Sequence, residues 1–351
     1  MATAPRIRTA LLSYGMSGEV FHGPLLAAHT GFELTTIVQR SSDRAQAHYP
    51  HVKLVRHTDH VMEDSAIELV VVNTPNETHA ALVTQALEAG KHVVVEKPFT
   101  VTTAEADALI ALAQKKNRIL TVFQNRRWDG DFRTVQHVVA NKLTGTLVEF
   151  EAHYDRFRNY IEANTWKEEN RPGTGIVYNL GSHMLDQVLV LFGMPTAVDA
   201  RIGIQRPHGH VDDFYDIRLH YNGFHCIVKS SYLVRESGPR YILHGTEGSF
   251  IKYGLDPQEQ ALKERKTPGS PGWGQEDSST WGKLNTTLGG LHYEGRIETL
   301  PGDYTQFYNN VYGAIREGQA LAVKPEQARQ VIQIIEACAA SSRDKTTIFF
   351  S

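Results

Sequence analysis

Cysteine is nearly absent from this chain, with only Cys226 and Cys338 among 351 residues. That excludes a disulfide scaffold and any CxxC zinc or redox site. Long apolar runs are missing too. No stretch reaches the 18 or so residues a membrane-spanning helix needs, and the apolar stretch after Arg6 and Arg8 is too short for a secretory signal. The expectation is a cytoplasmic protein with no membrane association. Nor is charge of one sign in excess. Thirty-six basic and 39 acidic residues give a formal net charge of −3, and Lys and Arg never cluster in a long run, so nucleic acid is not an expected partner. Low-complexity segments and internal repeats are absent. Histidine is plentiful at 17, but HExxH does not occur. His57/His60 and His208/His210 have no further ligands at metal-site spacing, so no metal is expected.

What remains is an ordinary globular composition, 41% hydrophobic and 21% charged, on a length suited to two domains. Strand and helix patterns alternate through the first third. Strands are expected at 9–13, 32–40, 52–56, 67–73, 92–96 and 119–123. The runs Leu69-Val70-Val71-Val72 and Val93-Val94-Val95 are apolar throughout, as in strands covered on both faces. Helices are expected at 19–29, 78–89 and 104–116. Gly90 stands where a helix C-cap glycine belongs, and Thr102 and Glu105 have capping-box spacing. This order predicts an α/β Rossmann domain, a doubly wound parallel sheet, over residues 1–124.

The rhythm changes from residue 125. Helices are expected at 129–141, 176–192, 304–317 and 325–341, with a long strand at 148–157 and four or more strands in 196–253. Residues 254–292, rich in Gly, Pro, Lys and Thr, are expected to run over the surface, and 205–213 to be a polar loop. Strands and helices segregated in this way predict an α+β domain over 125–351, with an open, mainly antiparallel sheet.

Ser13-Tyr14-Gly15-Met16-Ser17-Gly18 follows the first strand and opens a helix. It is a dinucleotide fingerprint with serine for its first glycine. The backbone at Gly15 would approach a pyrophosphate resting on the helix N-terminus, and Gly18 would allow close helix–strand packing. The second strand ends in Gln39-Arg40-Ser41-Ser42, where an NAD site would place an acid. A guanidinium and two hydroxyls suit a 2′-phosphate, so NADP(H) is the expected cofactor and NAD(H) the weaker alternative. Asn73-Thr74-Pro75-Asn76 and Glu96-Lys97-Pro98 end the next two strands, at the sheet edge where such folds bind ligands. A lysine held at Lys97 could carry the proton that accompanies hydride transfer.

Together with the fingerprint and the Asn73–Asn76 turn, Val94-Val95-Glu96-Lys97-Pro98 resembles the Gfo/Idh/MocA oxidoreductases. Further similar segments are Gln124–Asp129 (QNRRWD), Tyr154–Arg158 (YDRFR), Pro172–Gly175 (PGTG), Leu180–Gln187 (LGSHMLDQ) and Tyr253–Glu259 (YGLDPQE). The likeness covers nearly the whole chain and is strongest to the NADP-dependent scyllo-inositol dehydrogenases. It implies hydride exchange between NADP(H) and a ring carbon of a polyol or sugar, without a metal. His183 corresponds to the family's catalytic histidine. Asn179 stands where the family usually has Asp, and 179, 183 and 186 are spaced to share a helix face.

The catalytic set implied is Lys97, His183 and Asn179. The cofactor set is Ser13, Gly15, Met16, Ser17, Gly18, Arg40, Ser41, Ser42, Thr74, Pro75, Asn76, His79, Glu96, Lys97, Asn125 and Arg126. Trp128, Asp155, Arg156, Trp166, Tyr178, Asn179 and His183 would join Lys97 around the substrate. The resemblance also implies a homodimer through the C-terminal sheet, whose exposed face would otherwise be an apolar patch. Two other readings share this fold: a non-catalytic NADP(H)-dependent regulator, which Asn179 favours and Lys97 and His183 oppose, and a glycosidase that recycles a bound nicotinamide.

Overall fold

A computed structural model describes residues 5–350. The chain divides into two compact units. Among the described residues, the first comprises 5–128, 257–273 and 303–329; the second comprises 129–256, 274–302 and 330–350.

In the first unit six strands form one parallel sheet: β1 (Ile7–Leu11), β2 (Phe32–Val38), β3 (Lys53–Val55), β4 (Leu69–Val72), β5 (His92–Val95) and β6 (Leu120–Val122). Their order is β3-β2-β1-β4-β5-β6, and every pairing is parallel. The order reverses between β1 and β4, so the switch point lies beyond Leu11 and Val72, where this architecture opens a ligand crevice. The apolar runs behave as their composition requires: Val70, Val71, Val72, Val93, Val94 and Val95 are all fully buried. Helix Thr103–Lys116 begins with the expected capping box, in which the Thr102 side chain accepts from Glu105 N–H and Glu105 returns a bond to the Thr102 backbone.

The helix expected at 19–29 is two pieces, a π-type turn Ser17–His22 followed by Gly23–Ala28. The helix expected at 176–192 begins the same way, with a π-type turn Val177–Gly181 before the regular helix Ser182–Phe192. Side-chain periodicity did not reveal these wide turns, because one turn of altered pitch leaves the apolar stripe almost unchanged.

The second unit holds a nine-stranded sheet: β7 (Leu147–His153), β8 (Ala197–Gly203), β9 (Phe214–Tyr221), β10 (Phe224–Ser231), β11 (Tyr241–Gly245), β12 (Gly248–Lys252), β13 (Gly282–Leu288), β14 (Leu291–Ile297) and β15 (Ile348–Phe349). The order is β14-β13-β12-β11-β7-β10-β9-β8-β15, antiparallel except for the β7–β10 pair. One face packs on helix Ser182–Phe192. Phe150 lies edge-on to Phe192 at 5.4 Å, and Tyr241 donates its hydroxyl hydrogen to Gln187 at 2.8 Å. Residues 254–292 are more ordered than their composition suggested. They contain helix Gln258–Lys263 and strand β13, whose burial alternates. A buried ion pair, Lys252 to Glu276 at 2.8 Å, ties this segment down.

Candidate active site

The fingerprint loop of the first unit is braced from the neighbouring strand. Ser13 N–H donates to Asn73 Oδ1 at 2.9 Å, and Asn73 Nδ2 donates back to Ser13 O at 2.8 Å. Gly15 N–H meets Ser13 Oγ at 3.2 Å. The replaced first glycine therefore supplies a hydroxyl that holds the loop. A Cβ at Gly18 would lie 2.5 Å from Ser13 O and 2.8 Å from Asn73 Nδ2, so only glycine fits there. A Cβ at Gly15 would meet nothing closer than Ser13 Oγ at 3.6 Å, and Met16 beside it is exposed, which leaves the backbone approachable.

Beyond β2, Arg40 and Ser41 are exposed, and Ser42 accepts from Gln39 Nε2 at 2.7 Å. Arg56 fixes this turn by donating to Gln39 O at 2.8 Å, Ser42 O at 3.0 Å and Asp43 Oδ1 at 2.7 Å. The one carboxylate near Arg40 in sequence, Asp43, is thus paired with another guanidinium. Sequence reasoning missed Arg56, which directly follows β3 and shows its role only through the pairing of β2 with β3.

At the ends of β4 and β5 the loops are tied together by His79. It is fully buried, with Nε2 at 3.0 Å from Thr74 O and Nδ1 at 2.9 Å from Pro98 O. Burial holds its pKa below the usual range, and the neutral ring, with a single N–H, donates to one of these two carbonyls while packing against the other. Thr74 and Thr78 hydroxyls bond at 2.6 Å. Glu96 is buried and Lys97 half-buried, with Lys97 N–H donating to Glu96 Oε2 at 3.1 Å. Asn125, Arg126 and Trp128 share a 3₁₀ turn after β6. Arg126 pairs with Glu259 at 2.5 Å. Burial pushes the Glu259 carboxyl up, but Arg126 and Lys263 outweigh it and hold it down at about 2. Trp128 lies edge-on to Phe307 at 6.0 Å.

In the second unit, Tyr178 and Asn179 sit half-buried in the π-type turn, and His183 and Asp186 are buried in the helix that continues it. Asp212 holds the start of this turn. Its Oδ2 accepts from Val177 N–H at 2.9 Å, and its backbone carbonyl accepts from Ile176 N–H at 2.9 Å. Gly175 has φ +94°, and a Cβ there would fall 1.9 Å from Asp212 Oδ1. Burial pushes the Asp212 carboxyl up to about 6 against the hydrogen bonds it accepts.

Asp155 lies just past β7 and accepts from Ser231 N–H at 3.0 Å, while Arg156 lies over the Tyr154 ring at 5.4 Å. Trp166 lies in a short 3₁₀ turn that Arg206 secures. Arg206 is buried, binds both oxygens of Glu168 at 3.0 and 2.8 Å, bonds Tyr160 O at 2.7 Å, and meets Asp213 at 2.8 Å. The 205–213 segment is a loop, as expected, but it carries this buried anchor, which its polar composition concealed. His57 and His60 have ring centroids 6.3 Å apart, and among the described residues no group of three or more His, Cys, Asp or Glu could hold a metal. Among them, too, no helix is long and apolar enough to cross a membrane.

Residues 7–124 match the family model for the oxidoreductase NAD-binding Rossmann fold (GFO_IDH_MocA), and 138–349 match the model for the same family's C-terminal alpha/beta domain. The chain is 38% identical over 342 residues to scyllo-inositol 2-dehydrogenase (NADP(+)) IolW of Bacillus subtilis (strain 168), covering 97% of this chain and 95% of that protein. It is 39% identical to the uncharacterized oxidoreductase YdgJ of Escherichia coli (strain K12), covering 97% and 98%. The crystal structure of an oxidoreductase from Bacillus cereus superposes with a TM-score of 0.90 at 35% identity, covering 98% and 99%. With both halves matched and a six-stranded parallel sheet joined to a mainly antiparallel one, the chain belongs to the Gfo/Idh/MocA oxidoreductases.

Proposed function

We propose that this protein is an NADP(H)-dependent dehydrogenase or reductase acting on a CH–OH group in the ring of a polyol or sugar, scyllo-inositol or a close analogue. The observation that carries the reading is the Glu96–Lys97 pair at the carboxyl edge of the parallel sheet, just past β5 and next to β4, at whose end Asn73 braces the fingerprint. The likeness to a scyllo-inositol 2-dehydrogenase supports the substrate class.

The residues present fit the cofactor. The approachable backbone at Gly15 and the close-packed Gly18 suit a pyrophosphate, and exposed Arg40 and Ser41 suit a 2′-phosphate. Thr74, Pro75, Asn76, Glu96, Asn125 and Arg126 complete the proposed set, with His79 fixing the Thr74 and Pro98 loops. When bound, the nicotinamide supplies or accepts the hydride. Lys97 polarises the substrate oxygen and takes or returns its proton. His183 serves as acid/base. Trp128, Asp155, Arg156, Trp166, Tyr178 and Asn179 offer the aromatic surface and hydrogen-bonding groups a polyol needs.

We assign the protein to the cytoplasm and to a homodimer formed through the C-terminal sheet. Light scattering tests the dimer.

The functional test is a panel of polyols and sugars with NADP⁺, NADPH, NAD⁺ and NADH. Stoichiometric change in nicotinamide absorbance with a ring polyol, faster with NADP(H), is expected. Binding without turnover across the panel would leave a regulator. Glycoside cleavage without net cofactor change would indicate a glycosidase.

A further inference from the structure

A buried line of hydrogen bonds ends on Lys97. Tyr308, in helix Thr305–Glu317, places its hydroxyl 2.7 Å from His22 Nδ1. His22, the last residue of the π-type turn after the fingerprint, places Nε2 2.9 Å from Glu96 Oε1. The other Glu96 oxygen receives the Lys97 backbone N–H. His22 and Tyr308 are both 0% exposed. All these groups belong to the first unit.

With a proton on Nε2, His22 donates to the Glu96 carboxylate, and its Nδ1 accepts from the Tyr308 hydroxyl. Tyr308 remains a donor, because burial and then the Glu96 charge push its phenol far up. The Phe123 ring lies 4.3 Å from the His22 ring, centroid to centroid, and gives the imidazole no alternative polar partner on that side.

Four titratable groups face Glu96: His22 on the fingerprint turn, His79 on the helix after β4, Lys97 beside it in the chain, and Tyr308, whose phenol feels the Glu96 charge. Burial raises the Glu96 carboxyl, but the hydrogen bond from His22 and the Lys97 charge outweigh it and leave it below its usual value, so it is an anion next to Lys97. A neighbouring anion favours the ammonium form of a lysine.

We propose that His22 and Tyr308 are positioning residues, which hold the Glu96 carboxylate ionised and in place and through it set the protonation of Lys97. This rests on the reading of Lys97 as the proton-transfer group. It adds two residues that lie far from Lys97 in sequence, one of them in a helix near the C-terminus.

The test reads Lys97 directly. Competitive labelling with acetic anhydride across a pH series, followed by peptide mapping, gives the titration midpoint of Lys97 without substrate or cofactor. Without the His22 donor the Glu96 carboxylate is no longer held in place beside Lys97, so Lys97 loses its nearby anion. His22→Leu should lower the Lys97 midpoint by about one unit. Tyr308→Phe, which deletes a single oxygen, should lower it by about half as much. His22→Gln keeps an N–H for Glu96 and should restore most of the parent value. In a polyol assay the same variants should move the Lys97 limb of the kcat profile while KM stays within about twofold.

Midpoints equal to the parent's in both folded His22→Leu and Tyr308→Phe overturn the proposal. A parent that oxidises polyols while those midpoints coincide keeps the dehydrogenase reading and loses the network. A parent inactive on every polyol, with midpoints that still fall, does the reverse.

Discussion

Ser13 and Asn73 exchange two hydrogen bonds across 60 residues of sequence, one at 2.9 Å and one at 2.8 Å, and so lock the fingerprint loop to the end of β4. Asn73→Ala removes both part-buried hydrogen bonds, at about 0.5–1.5 kcal/mol each. NADPH affinity should fall by about tenfold or more, with the fold retained by circular dichroism. Fluorescence titration checks this, and unchanged affinity would show that the brace does not serve the cofactor.

The fold was legible where chemistry is repetitive. Strand runs such as Leu69–Val72 and the Thr102/Glu105 capping box carry their own local signals, and they stand where expected. That the first sheet is parallel followed from the alternation of strands and helices. Long-range pairings were illegible: Arg56 on the Ser42 turn, Asp212 under the Val177–Gly181 turn, and Tyr308 on His22 join residues whose spacing means nothing until the chain folds. His22 alone gave a hint, as a polar residue directly after Phe21 on an apolar helix face. Residues 254–292 misled because Gly and Pro mask a short helix and a strand whose signal comes from pairing with β12.

Asp212 makes stability depend on pH with a defined sign. Its folded pKa, raised to about 6, exceeds the unfolded value, so the native state binds the extra proton. The cost of ionising the buried carboxylate is absent below about pH 4 and full above about pH 6. Asp212→Asn keeps an oxygen for Val177 N–H and removes that cost. Denaturant melts should show the variant gaining about 1–3 kcal/mol on the parent between about pH 4 and 7. A difference that does not change with pH would mean that Asp212 titrates normally.

Arg40 is exposed and Asp43 is engaged by Arg56, so one guanidinium remains to greet a 2′-phosphate on this turn. A charge-assisted contact is worth about 1.5–3 kcal/mol. Arg40→Asp should weaken NADP(H) by one to two decades, roughly, and leave NAD(H) little changed or tighter. Parallel titrations of the two cofactors check it; tighter NAD(H) binding by the parent would contradict the assignment.

Asn179 lies one turn before His183, at a position where the family resemblance implies a carboxylate. An amide supplies no charge, whereas a carboxylate favours the imidazolium of a neighbouring histidine. Asn179→Asp should move the acidic limb of the oxidation profile upward for every substrate alike. If instead Asn179 serves as a substrate contact, the profile stays put and the ranking of polyols at fixed pH changes.

Lys97 decides the central claim, and its removal is the most direct measurement. Lys97→Met keeps most of the side chain's length and deletes the proton. Turnover of the best polyol with NADP⁺ should fall by at least about two decades. NADPH affinity should stay within a few-fold, because the proposed pyrophosphate site is the backbone at Gly15 rather than this side chain. A folded Lys97→Met protein that binds NADPH normally and turns over at the parent's rate would contradict the account.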